Sequence, residues 1–372
     1  MSLTLRATGD VGASRPDMRS MFAGVAPVLR SADIAFGQLE TVIADHGEAV
    51  PNARLAMRAA PALAPALADA GFTIMSSAGN HCLDYGHGAL RDTLRHLAEA
   101  NVATVGAGPT IAEARAGQVI DTGKGRVAFV AANSILPEGY AATTRKPGCA
   151  PLRAYTVYEQ IEHDQPHTPA RISTWCDRDD LDALCAEVGQ MRDQADLVIV
   201  SLHWGIHMVH GTIADYQREA AHALIAAGAD AIIGHHPHVL KGIELHRGKP
   251  IFYSLGNFAI EQPHVWDPTI VDTESYRHLI ALGGGASGEG VYLLPEETRL
   301  SGIAELEWES GRLTARFRPC WIDDNSAPVL LVAGDPRFTR IADHLRAVSA
   351  AERLPTRLAV ADGAIVILEP EP

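Results

Sequence analysis

Basic blocks are missing from this chain. Its 31 lysines and arginines are outnumbered by 45 aspartates and glutamates, giving a net charge of −14. No Lys/Arg run offers the electrostatic footprint of a nucleic-acid binder, and an acidic surplus mainly favours solubility. Long apolar runs are missing too. No stretch approaches the ~20 residues that cross a bilayer, and the start MSLTLRATGD lacks the apolar core and cleavage pattern of a secretory leader. There is no CxxC pair. Cysteines at 82, 149, 176, 185 and 320 form an odd, scattered set, which argues for reduced thiols in a cytoplasmic setting rather than a disulfide framework. No internal repeat, low-complexity block or linker composition divides the chain, so residues 1–372 read as one domain with inserted loops. The rest is ordinary for a globular protein with a sizeable core: 47% hydrophobic and 20% charged residues.

What the chain does have is 17 histidines in telling places. Ala231-Ile232-Ile233 reads as a buried strand, and Gly234-His235-His236-Pro237-His238 follows it directly. Open α/β sheets bind ligands at the carboxyl ends of their strands, and neutral imidazole is a good ligand for transition metals. Other strand candidates end in the same way. Leu3–Ala7 runs into Thr8-Gly9-Asp10, and Ile34–Leu39 into Glu40. Phe72–Ser76 leads to Gly79-Asn80-His81 and Asp84, and Leu197–Ser201 to His203-Trp204-Gly205. Between them, helices are expected over 18–29, 61–70, 89–100, 179–194 and 214–227. Hairpins are expected around 122–125 and 246–249.

The core motifs occupy 3–260. Residues 135–171 and 262–297 are rich in turn formers with little periodicity and read as irregular insertions, the first a lid or binding loop, the second with a mobile Gly283–Gly288 run. A hairpin, a helix near 335–348 and a last apolar run, 364–368, make a C-terminal extension over 298–372.

Helices alternating with strands gather strand ends along one sheet edge. That edge would hold two carboxylates, one amide and several imidazoles, a mixed O/N set suited to Mn, Fe, Zn or Co. No thiolate falls at these ends, so a structural Cys-type zinc site is not expected.

These motifs carry a resemblance. Gly9-Asp10, Gln38-Leu39-Glu40, Gly79-Asn80-His81 with Leu83–Gly86, His203-Trp204-Gly205, Gly234–His238 and Tyr253–Phe258 occur in the order found in the CapA family, named for a poly-γ-glutamate capsule protein and related to the calcineurin-like metallophosphoesterases. The chain resembles that family from residue 9 to 258. The resemblance implies a four-layer αββα sandwich and a site for one or two divalent metal ions. It implies ligands among Asp10, Glu40, Asn80, His203, His236 and His238, with the choice between His235 and His236 open. It also implies His81 as general acid, oriented by Asp84. There are three departures from the wider pattern. Position 12 is Gly where a metal-binding histidine is usual, Glu40 stands for a bridging Asp, and His207 stands where Glu commonly follows His-Trp-Gly-x. His207 is thereby an added base or ligand candidate, and His210 and His264 are further histidines nearby in sequence.

The leading expectation is a metal-dependent hydrolase acting on a small or peptide-like anionic substrate through activated water. An amide or γ-glutamyl-type bond is favoured over a phosphoester. Arg145, Lys146 and Lys241 are possible partners for a substrate carboxylate. Metal-assisted epimerisation of a peptide residue is the runner-up, with His81 or His207 as base. A non-catalytic subunit of a polymer-synthesis complex is the third. Oligomeric state is left open.

Overall fold

A computed structural model describes residues 2–53, 55–261, 274, 277, 292 and 294–370. Strand Leu197–His203 is buried at all seven positions. A strand apolar on both faces needs cover on both, and its alternation supplies two sets of side chains. Leu197 and Ile199 share a core with Leu5, Phe36 and Ile74 of another sheet. Val198, Val200 and Leu202 pack with Leu181, Leu184, Ala220 and Leu224 of helices Arg178–Arg192 and Asp215–Ala227. On the far side of the other sheet, Ala35, Met75 and Ile303 pack with Met21, Leu29, Leu63 and Leu67. The result is the expected helix–sheet–sheet–helix order. Between the sheets Phe36 and Phe129 stack with centroids 5.5 Å apart. Truncating either to Ala would cost roughly 3–5 kcal/mol.

The larger sheet runs Arg357–Ala361, Ala364–Leu368, Arg312–Ile322, Leu300–Glu309, Leu3–Gly12, Ile34–Leu39, Ile74–Ser76, Ala103–Val105. The smaller runs Ile243–His246, Lys249–Phe252, Ala231–His235, Leu197–His203, Arg126–Asn133, Gln118–Asp121. Leu3–Gly12 changes partner along one edge. Its first part, Leu3–Thr8, pairs antiparallel with Leu300–Glu309; its end, Asp10–Gly12, pairs parallel with Asn257–Ile260. Register shifts lie between Ala7 and Asp10 and between Asp10 and Val11. Such bulges re-aim a side chain, here Asp10. Only glycine fits beside it, because a Cβ on Gly9 would lie 2.0 Å from the Gly256 carbonyl oxygen.

Several expectations need correction. Residues 135–171 are not structureless: Ala154–Glu159 pairs antiparallel with Arg171–Cys176, and Gly148–Cys149 pairs with Ala107–Gly108. The ribbon exposes Tyr158 and Ile172, so its strands never show the polar/apolar alternation that burial of one face imposes. The expected 18–29 helix is split into a 3-10 turn Met18–Phe22 and a helix Ala26–Arg30. Gly24 intervenes, and Pro27 suits the start of the second piece. The C-terminal segment is not an appendage. Leu300–Glu309 and Arg312–Ile322 continue the main sheet from its first strand. The helix there is Pro336–Ala351, capped by Asp335. The 262–297 insertion, with Gly283–Gly288 and His264, lies almost wholly outside the described residues.

Candidate metal centre

The strand ends converge. Asp10 and Glu40 come from the larger sheet, His203 and His235 from the smaller, and His236 and His238 from the turn that follows. That turn is strained: His236 and His238 adopt φ of 93° and 58°, a left-handed backbone that side chains rarely take and that clusters at functional sites. Gly234 before it has no room for a Cβ, which would lie 2.3 Å from the Tyr253 carbonyl oxygen.

Two sets of ligand atoms form around one carboxylate. Glu40, His203 and His236 offer atoms all within 4.8 Å of one another, as do Asp10, Glu40 and His238. Glu40 is common to both. Asn80 Oδ1 lies 2.6 Å from His203 Nε2, which puts Asn80 beside the first set. His238 Nδ1 lies 2.7 Å from Asn257 Oδ1. Asn257 Oδ1 accepts, so Nδ1 carries the hydrogen and Nε2 faces Glu40 at 3.9 Å. His235 belongs to neither set. It is fully buried beneath them, its Nδ1 3.6 Å from Asp10 and its ring 6.0 Å from that of Phe36.

Among the described residues, all four carboxylate oxygens of Asp10 and Glu40 are buried without a hydrogen bond of good geometry, as are His203 Nδ1, His236 Nδ1 and both ring nitrogens of His235; the nearby His236 backbone N–H only partly offsets the burial of Asp10. Burial pushes the Asp10 carboxyl up to about 8. Burial, then the Asp10 and Asp84 charges, raises Glu40 well above its ordinary value. Burial also lowers His203 and His236 well below theirs and takes His238 down to about 4, so these imidazoles stay neutral, the form that binds metal. Uncompensated buried carboxylates cost several kcal/mol each. A divalent cation removes that cost and employs the neutral imidazoles, so the donor set fits one.

His81, partly exposed, stands at the mouth, and Asp84 is buried behind it. His81 Nδ1 lies 2.6 Å from Asp84 Oδ2, and its Nε2 lies 3.8 Å from Glu40. Asp84 is fixed by the Met57 backbone N–H at 2.7 Å and the Tyr140 hydroxyl at 3.0 Å. His207 also borders the site, its ring 5.4 Å from that of His236 and 5.1 Å from that of His238. His210 is exposed and packs near His344 instead. Lys241 is buried and donates to the carbonyls of Val209 and Thr212; it is committed to the backbone rather than to a substrate. Arg145 and Lys146 are exposed. Beside Gly12, the nearest side chains to an added Cβ are Ile260 and Met57, both at 3.6 Å, so apolar groups border the place of the usual histidine.

Asn257 and Tyr140 were not expected to act here. Asn257 lies inside the Tyr253–Phe258 motif, and its position after the positive-φ Gly256 was the available signal. Tyr140 sits in a loop with no periodic pattern.

A family model, "Bacterial capsule synthesis protein PGA_cap", matches residues 4–262. The chain belongs to the PGA_cap family. The match takes in every strand end of the metal centre. Among PGA_cap relatives, "PGA biosynthesis protein CapA" from Bacillus subtilis is 31% identical over 245 residues, covering 65% of this chain and 57% of that one. A "probable polyglutamine synthesis accessory protein" from Mycobacterium tuberculosis is 34% identical over 231 residues, covering 61% and 55%. The PGA_cap chain thus spans little more than half the length of these relatives. The calcineurin-like phosphoesterase YfkN from Bacillus subtilis aligns over 95% of this chain and 99% of its own, at 15% identity and a TM-score of 0.39. Among the described residues, no helix is long and apolar enough to cross a membrane.

Proposed function

We propose that this PGA_cap protein is a metal-dependent hydrolase of a small or peptide-like anionic substrate, with an amide or γ-glutamyl-type bond preferred to a phosphoester. The reading rests above all on one observation: two buried carboxylates, Asp10 and Glu40, share a site with imidazoles and leave every oxygen without a hydrogen bond. Asp10, Glu40 and His238 would hold one cation, and Glu40, His203, His236 and Asn80 a second. A bound divalent cation of the Mn, Zn, Fe or Co class supplies Lewis acidity and lowers the pKa of bound water towards about 7.

The chain's own groups do the rest. Asp84 accepts from His81 Nδ1 and stabilises the imidazolium, so His81 presents a proton at Nε2 to a leaving group at the mouth. Tyr140 and the Met57 N–H hold Asp84 in that role. Asn257 sets the tautomer of His238. The amide preference draws on the PGA biosynthesis and polyglutamine synthesis named for relatives and on the glycine at position 12. A role in capsule-polymer metabolism is part of the same proposal.

His207, a further imidazole packed beside His236 and His238, supports the runner-up, epimerisation, for which a second base can serve. The test is incubation of the metal-loaded protein with γ-glutamyl oligomers and with a phosphate monoester in deuterated water. Release of shorter glutamyl products is expected. Deuterium uptake at a stereocentre without cleavage would replace hydrolysis by epimerisation. Absence of stoichiometric metal in the purified protein would point to the non-catalytic subunit.

A further inference from the structure

A second cluster of ligand atoms lies outside that centre. Strand Ile243–His246 alternates, so Ile243 enters the core between the sheets while Glu244 and His246 project from the other face. Helix Asp215–Ala227 crosses that face and brings His222 to them. His222 Nε2 is 2.9 Å from Glu244 Oε1, and His246 Nδ1 is 3.7 Å from the same oxygen. The two imidazoles stack with centroids 3.8 Å apart and planes 9° from parallel. Glu244 is 3% exposed. Its other oxygen accepts from the Tyr253 hydroxyl at 2.6 Å, so the carboxylate is held in place from behind, as metal-binding carboxylates commonly are. Both histidines are partly exposed, which leaves the cluster open to solvent on one side.

We propose that His222, Glu244 and His246 form a separate zinc-class cation site that ties helix Asp215–Ala227 to the edge strand Ile243–His246. The three ligand atoms lie within 4.8 Å of one another, and two zinc bonds of ~2.1 Å span at most about 4.2 Å. The two rings, partly exposed at 38% and 22%, would have to turn out of their parallel stack so that both in-plane lone pairs meet the cation, with the ligand atoms closing by under an ångström. Two imidazoles and a carboxylate are good zinc ligands and leave a fourth position for water. Without a cation the same residues form a carboxylate–histidine hydrogen bond, which needs only one of the two rings. The second ring, stacked on the first and aimed at the same oxygen, is what the cation accounts for.

The test uses the full chain, stripped with chelator, reloaded with Zn(II) and freed of excess by gel filtration before zinc is counted by mass spectrometry. The His222→Ala/His246→Ala variant is expected to hold one zinc fewer per chain than the parent. His236→Ala/His238→Ala, which disables the other centre, is expected to keep that zinc, so failure of one site is distinguishable from failure of the other. His246→Gln leaves the Glu244 contacts with His222 and Tyr253 in place, and it decides the matter should the double variant not fold. Loss of an outer-shell partner alone commonly costs about 10–100-fold in metal affinity, so this variant is expected to weaken zinc binding by at least about tenfold against a chelating dye. Equal zinc counts in parent and His222→Ala/His246→Ala, or unchanged affinity in His246→Gln, would overturn the site and leave a plain hydrogen-bonded pair.

Discussion

Asp84 and the Asp10–Glu40 pair are buried to the same depth in one site and treated in opposite ways. Asp84 receives three protein partners: the Met57 N–H, the His81 ring and the Tyr140 hydroxyl. Among the described residues, Asp10 and Glu40 receive no hydrogen bond of good geometry on any carboxylate oxygen, with only the His236 backbone N–H close to Asp10. A fold that supplies every partner to one carboxylate and withholds them from its neighbours gives the two different tasks. Asp84 positions a histidine, which requires a fixed charge. Asp10 and Glu40 are kept without partners for something that is not protein; without it, burial favours their protonated forms.

The comparison breaks most directly at Glu40. Glu40→Gln replaces one oxygen of the carboxylate common to both ligand sets by an amide nitrogen and removes its charge, and metal content and turnover are both expected to fall, turnover by more than about 10²-fold. Retention of full metal by elemental analysis would show that Glu40 is not shared. His81→Ala acts on the other side of the comparison. Metal is expected to stay while turnover falls about 10²–10⁴-fold; an unchanged rate would take His81 out of the reaction.

A stability measurement sharpens the contrast without any substrate. The Asp10 carboxyl, with an ordinary value of 3.8, is pushed up to about 8 by burial. A raised folded pKa gives stability that is complete below the unfolded value and is lost as pH climbs through the folded one. Burial brings His235 and His238 down to about 3 and 4 and lowers His203 and His236 well below 6.5. The unfolded chain's histidines shed their protons only by about pH 7.5, so up to that pH these four add stability as pH rises and oppose the loss at Asp10. Above about pH 7.5 that opposition is spent and the raised Glu40 acts in the same sense as Asp10, so chelator-treated protein should lose roughly 1 kcal/mol or more between pH 7.5 and 9 in denaturant titrations, and divalent metal should reverse the loss. A flat profile would mean that Asp10 finds compensation without metal. The smallest effect belongs to Tyr140→Phe. It removes one of three partners of Asp84 and should cost about 1.5 kcal/mol with metal content unchanged.

Much of the site was legible because its residues sit at strand ends, where the chemistry of the chain and the geometry of the sheet coincide. Asp10, Glu40, His203 and His238 follow apolar runs directly. Asn257 and Tyr140 were harder to see, since each acts by touching a residue that the chain places far away, Asn257 on His238 and Tyr140 on Asp84. The 154–176 ribbon was hidden for another reason. Only its one end, at Ala154 and Cys176, reaches the core, while the rest is exposed on both faces, so no alternation marks it. Lys241 looked available for a substrate because a lysine in a sequence carries no sign of burial, and the fold spends it on the Val209 and Thr212 carbonyls.

By itself the sequence determined the layered α/β architecture and the kinds of ligand gathered at one edge. Apolar period and terminal side chain are local properties that survive any arrangement of the strands. Only the tertiary structure decided which imidazoles meet which carboxylate. His235 and His236 are adjacent, yet the left-handed turn at His236 sends one ring under Asp10 and the other towards Glu40. A one-residue difference in direction is set by backbone strain, and that strain is held in place by packing between two sheets.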